Sequence, residues 1–151
     1  MSQPQPNTEH IKFRIGISGT YWDKKPQYSI LLNDHLICQD YIKSTDVEYI
    51  EFDIDIDLNQ LHNLKIRLEN KDWTDTVQNE DKTEILKDMV LHIKSVEVDE
   101  IHLGEIMRNQ AIFTGDDPER PVLDNCVDLG WNGAWTLKFN SPFYHWIIDN
   151  L

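Results

Sequence analysis

The chain has 151 residues, enough for one domain that buries roughly two-thirds of the surface its unfolded form exposes. It carries 14 Lys plus Arg against 27 Asp plus Glu, a formal net charge of -13. That charge repels a phosphate backbone and an anionic bilayer surface, which argues against nucleic acid and membrane as partners. No apolar run approaches the roughly 20 residues that span a bilayer.

Residues 1–9 are rich in Ser, Gln, Pro and Asn and lack the basic and apolar regions of a secretory signal, so they read as a flexible tail before a single domain over residues 10–151. Ile11, Phe13, Ile15 and Ile17 alternate with polar or small residues, the period-two pattern of a half-buried strand. A loop follows over Gly19 to Pro26. Tyr28–Leu32 and His35–Cys38 form a predicted hairpin through Asn33-Asp34, two residues that tolerate the positive φ of a tight turn.

From Glu48 to Leu58 the apolar residues Ile50, Phe52, Ile54, Ile56 and Leu58 alternate with Glu51, Asp53, Asp55 and Asp57, giving one core face and one acidic face. Leu64, Ile66 and Leu68 mark the next strand, and its Lys65 and Arg67 are expected beside that acidic face. Met89, Leu91 and Ile93 share one parity and Val96 and Val98 the other, which requires a bulge or a strand bent between two sheets. Met107 to Gly130 is too irregular for a regular element, and long loops of this kind are often functional or interfacial.

Trp135, Leu137 and Phe139 form the last strand. Ser141-Pro142 then reads as an N-cap and first-turn proline for a short helix bearing Phe143, Trp146 and Ile147 on one face. The fold class is all-β: an antiparallel β-sandwich, most simply a jelly roll, with a short C-terminal helix. The late aromatics Trp131, Trp135, Phe143, Tyr144 and Trp146 suggest a covered edge or a subunit interface, hence a homo-oligomer. Cys38 and Cys126 lack any metal or redox spacing and read as free thiols.

Asn70, Asp72 and Asp75 leave the strand that ends at Leu68, and Asp88 enters a later one, so hard oxygen donors gather at one end of a sheet. Such donors suit Ca²⁺, although acidic loops are common in so acidic a chain and no EF-hand loop is present. The segment Leu64 to Gly104 resembles the second half of the calcium-dependent, xylan-binding type of carbohydrate-binding module. In that pattern a strand ends in Asn-Asp, and after a loop Asp-Arg-Asn-Leu introduces alternating apolar residues and a glycine turn. Here Lys71 separates Asn70 from Asp72, and Asp88-Met89-Val90-Leu91 stands where Asp-Arg-Asn-Leu would. The resemblance implies a jelly roll, Ca²⁺ as cofactor on Asn70, Asp72, Asp75 and Asp88, and a polysaccharide or surface glycan as partner.

Trp73 lies inside the acidic loop, placed either to stack on a pyranose or to fold back over the sandwich edge. Tyr21, Trp22 and Asp23 form a second candidate ligand-binding group, with core or loop packing as the alternative. No catalytic motif is recognisable and no carboxylate pair is separated as glycosidase chemistry requires, so an enzyme is not expected. The rival to a binding module is an oligomer-forming structural protein of a tailed-bacteriophage virion, in a capsid decoration, neck, baseplate or fibre, contacting other virion proteins without sugar affinity. Localisation stays open, with a virion as one candidate.

Overall fold

Apolar alternation with a period of two builds two facing antiparallel sheets in the computed structural model, which describes residues 7–151. The first sheet contains β1 (Thr8–Thr20), β4 (Glu48–Asp57), β8 (Val90–Val98), β9 (Ile101–His102) and β12 (Asp128–Leu129). Its order is β12-β8-β1-β4, with β9 folded back on β8. The second sheet contains β2 (Gln27–Leu32), β3 (His35–Tyr41), β5 (Leu61–Leu68), β10 (Ile112–Gly115), β11 (Leu123–Asp124) and β13 (Gly133–Asn140). Its order is β11-β10-β13-β5-β2-β3. A small ribbon pairs β6 (Val77–Gln78) with β7 (Ile85–Lys87), and two short helices are present, α1 (Glu105–Gln110) and α2 (Phe143–Asp149).

The core lies between the inner faces. Phe13, Ile15, Leu91 and Val96 come from the first sheet, and Ile30, Leu64, Ile66, Trp135 and Leu137 from the second, all fully buried. This is the all-β antiparallel sandwich with a short C-terminal helix that the sequence predicts. The Asn33-Asp34 hairpin also forms, with φ of 50° and 66° at its two turn residues. Cys38 and Cys126 are free, half-buried thiols whose pKa values are pushed up by burial.

Four expectations are corrected. The domain starts before residue 10, since Thr8 and Glu9 already pair with Asp57 and Ile56; the rest of the expected tail, residues 1–6, lies outside the described residues. The acidic face of β4 meets β1 rather than β5, through Arg14 to Glu51 at 3.3 Å and His10 to Asp55 at 2.8 Å. Lys65 and Arg67 instead pair with Asp34 and Asp116, because β5 belongs to the other sheet.

Of the two expected ways to absorb the parity switch in β8, the bulge is the one present: Gly16 opposes Ser95 while Ile17 opposes Ile93, so Lys94 is the extra residue and the strand stays in one sheet. The region from Met107 to Gly130 holds the end of α1 and three short strands, of which β10 pairs with β13. Finally, Pro142 rather than Ser141 occupies the N-cap position of α2. The Ser141 hydroxyl is engaged elsewhere, donating to the Asp57 carbonyl at 2.6 Å, and the Phe143 amide donates to the Glu9 carboxylate at 2.7 Å. Beside them, buried His62 bonds Asn33 and the Asp57 carbonyl, both at 2.8 Å.

Helix α2 closes the sandwich. Phe143, Trp146 and Ile147 are buried, and the rings of Phe143 and Trp146 meet Phe139 edge-on at 5.8 and 6.2 Å. Of the late aromatics, Trp135, Phe143 and Trp146 are internal packing, whereas Tyr144 is exposed. Trp146→Ala is expected to lower the unfolding free energy by about 3 kcal/mol, against less than about 0.5 kcal/mol for Tyr144→Ala on the exposed side. Urea titration of both variants checks this; equal losses would mean that the helix does not complete the core.

Candidate functional site

The polar loops at one end of the second sheet are fixed by side chains that satisfy backbone groups. Beyond β5, Asn70 accepts from the Gln27 amide at 2.8 Å and donates to the Lys25 carbonyl at 3.0 Å, so its side chain clasps the loop before β2. The Lys71 amide donates to Asn132 Oδ1 and Asn132 Nδ2 donates back to the Lys71 carbonyl, both at 2.8 Å. This exchange ties the loop after β5 to the turn before β13.

Asp72 then caps a single 3₁₀ turn, Trp73–Asp75. It accepts from the Thr74 amide at 2.9 Å, and its own amide donates to Asp75 Oδ2 at 2.8 Å, a reciprocal capping box. Lys24 Nζ bridges the two carboxylates at 2.9 and 3.1 Å. With Asp75 drawn inward, Trp73 is left 87% exposed. The Thr74 hydroxyl, Lys24 and the Thr74 amide hold the Asp72 carboxyl down at about 2, and the Asp72 hydrogen bond raises the Lys24 pKa in turn.

Asp88 is held separately. One of its oxygens accepts from Lys71 Nζ at 2.7 Å, the Thr76 hydroxyl at 2.7 Å and the Met89 amide at 2.8 Å. Burial works against its charge, yet these hydrogen bonds outweigh it and leave the pKa below the ordinary value. Lys71 Nζ also donates to the Gly130 carbonyl at 2.6 Å.

Across from this loop, residues 116–132 supply the second wall of a cleft of about 670 Å³. Asp116 accepts from Arg67 Nη2 through both oxygens, at 2.8 and 2.9 Å, and the Arg120 guanidinium lies 4.7 Å from the centre of the Trp131 ring. The cleft thus combines an exposed indole with Lys71, Asp72, Asp88, Asp117 and Asn132. An aromatic face ringed by carboxylates, an amide and an ammonium suits a ligand with an apolar ring face and many hydroxyls.

The expected site residues divide. Asp72 and Asp75 come together on Lys24, whereas Asp88 is tied to Lys71, and both polar atoms of Asn70 are engaged by backbone. Among the described residues no three His, Cys, Asp or Glu side chains form a group that could hold a metal ion. The expected Ca²⁺ ligand set therefore does not fit a Ca²⁺ ion as arranged: its carboxylates point at ammonium groups.

The second candidate group is also split. Trp73 lines the cleft, whereas Trp22 packs behind the turn, donating from Nε1 to the Asp75 carbonyl at 2.9 Å with Lys87 Nζ 4.8 Å from its ring centre. Tyr21 borders a different, smaller cleft with Thr20, Asp46 and His92, and Asp23 is exposed and lines neither cleft. Sequence reasoning missed Lys71, Asp117, Arg120, Trp131 and Asn132 as lining residues; the length of the Met107–Gly130 segment pointed to Asp117 and Arg120 alone.

No protein-family model matches the chain, and no curated protein matches it in sequence. Solved structures do share its fold. One, vCBM60 in complex with galactobiose, superimposes with a TM-score of 0.55 at 12% identity, over 83% of this chain and 96% of that one. The fold the two share is the β-sandwich. A selenomethionine form of vCBM60, described with a circular permutation linking two families of calcium-dependent carbohydrate-binding modules, gives a TM-score of 0.55 at 11% identity, over 84% of this chain and 89% of that one. At such identities the likeness establishes the fold alone.

The clasp on the Trp73 turn has a measurable signature. Because the Asp72 pKa is lowered below the unfolded value of about 3.9, its stabilising effect is complete above that pH and fades as pH falls toward about 2. Carboxyl-detected NMR should give Asp72 a midpoint near about 2, and Lys24→Met should raise it. A midpoint of about 3.9 in the unaltered protein would show that the turn is not clasped.

Proposed function

We propose that the domain is a non-catalytic glycan-binding module whose ligand lies in the cleft between the Lys71–Asp88 loop and residues 116–132. The observation that carries this reading is Trp73, a flat ring 87% exposed on a turn rigidified beneath it by Asp72, Asp75 and Lys24. An indole so exposed contributes little to the core, and its immobilised turn reduces the ordering cost of stacking on a sugar. The fold shared with vCBM60, whose complex holds galactobiose, supports the same ligand class.

Catalysis is disfavoured by the carboxylates themselves. Asp72 and Asp88 both have lowered pKa values, so neither is poised to stay protonated near neutral pH as the general acid of glycoside hydrolysis. Holding a saccharide, not cleaving it, is the chemistry these groups offer.

Trp73→Ala should weaken binding to an immobilised neutral polysaccharide by about 30-fold, equivalent to about 2 kcal/mol, with the melting temperature unchanged. Affinity electrophoresis and a thermal scan measure the two quantities. Undiminished binding would move the site away from this cleft. A protein that retains no glycan but elutes as a stable ring or trimer would instead answer to the structural virion role.

A further inference from the structure

We infer that the ammonium of Lys71 is the built-in cation of this cleft, so that the domain binds a neutral glycan without a metal ion and Lys71 itself donates a hydrogen bond to a sugar hydroxyl. This rests on the glycan reading of the cleft given above.

The position of the ammonium carries the argument. Lys71 Nζ sits 2.7 Å from an Asp88 carboxylate oxygen and 2.6 Å from the Gly130 carbonyl, a carboxylate and a carbonyl being oxygen types that a hard divalent cation selects. The Lys71 side chain is only 10% exposed, so its charge is confined there. A Ca²⁺ ion at Asp88 would have to expel that ammonium or sit against its like charge. The neighbouring carboxylates are no freer, because Lys24 bridges Asp72 and Asp75, and Asn70 is bound to backbone on both sides.

An ammonium has three N–H donors. Two of those on Lys71 are matched by Asp88 and Gly130, and because the residue lines the cleft, the third is available to a ligand. The charge balance restricts what that ligand is. Lys71 faces Asp88, Lys24 is shared by Asp72 and Asp75, Arg67 is shared by Glu69 and Asp116, and Arg120 lies on the Trp131 ring, so carboxylates outnumber cations around the cleft while the chain as a whole bears -13. A polyuronate would meet that net repulsion with no uncommitted cluster of cations to offset it, whereas an uncharged polyol meets matched donors and acceptors.

The test uses the whole chain on immobilised neutral galactan and xylan, with polygalacturonate as the anionic comparison. Retention on at least one neutral polymer should be the same in EDTA and in excess Ca²⁺, polygalacturonate should be retained less, and Ca²⁺ should leave the melting temperature unchanged. The double variant Lys71→Met/Asp88→Asn, which removes both charges together, should reduce retention by about 10-fold or more. As a measurement free of any variant, the Lys71 side-chain NMR signal should shift when galactobiose or xylobiose is added in EDTA.

Retention that requires Ca²⁺, or a melting temperature that climbs with Ca²⁺ concentration, would overturn the inference and leave the glycan reading standing. So would a double variant that binds like the unaltered protein, an unmoved Lys71 signal in the presence of a bound sugar, or preferential retention on polygalacturonate. No retention on either neutral polymer under any condition would remove the glycan reading and this inference with it.

Discussion

The register of β13 on β5 is the constraint on which the cleft depends. Gly133 opposes Leu68, so the residue that begins one strand lies beside the residue that ends the other, and the loops entering and leaving them emerge together. Gly133 is required there by space, because a Cβ would lie 2.4 Å from the Thr114 carbonyl oxygen on β10. With the strands locked this way, Asn132 and Lys71 become neighbours and exchange two backbone-to-amide hydrogen bonds. A shift of one residue would turn Trp135 and Leu137 out of the core, so the hydrophobic pattern that stabilises the sandwich also fixes the two walls of the cleft.

A surplus of acid shapes the surface chemistry. On the outside of the first sheet the carboxylates of β4 are answered by His10 and Arg14 on β1, exposed pairs of modest energy that relieve repulsion along an edge strand. In the cleft the pairing is more confined, and Lys71 and Lys24 have structural as well as electrostatic tasks. The same sequence property, many carboxylates and few cations, gives Lys24, Lys65, Arg67 and Lys71 defined carboxylate partners.

Much of the sandwich was legible because alternation is a strong signal wherever one face is buried. Ile11 to Ile17, Ile50 to Ile56 and Trp135 to Phe139 announce their strands, and the parity change at Val96 announces its bulge. Pairing across the sheets was not legible. Glu51, Asp53 and Asp55 needed basic partners, but β1 and β5 both offered them, and only the chain's path through two sheets decides between them. Strand β10 was hidden because four residues beside a Gly, Asp and Pro cluster carry too little periodicity to be seen. In the site, the exposure of Trp73 depends on a capping box whose Asp72 and Asp75 looked equally like metal ligands. Carboxylates three residues apart serve either purpose, and what separates them here is Lys24, distant in sequence and brought close by the fold.

The bonds around the β4–β5 turn bring the two ends of the domain together. Asn7 accepts from the Leu58 amide and Ser141 from the Asn59 amide, each at 3.0 Å, while Glu9 holds the Phe143 amide. The first strand and the last helix therefore meet on one turn, and the polypeptide traces nearly a closed ring. A linker joining them would add little loop-closure entropy, whereas new ends opened at Asn33-Asp34 would put at risk the bonds that Asn33 makes to His62 and to the Asn63 backbone. The cleft, borne by the loops at the opposite end of β5 and β13, stands apart from this closure.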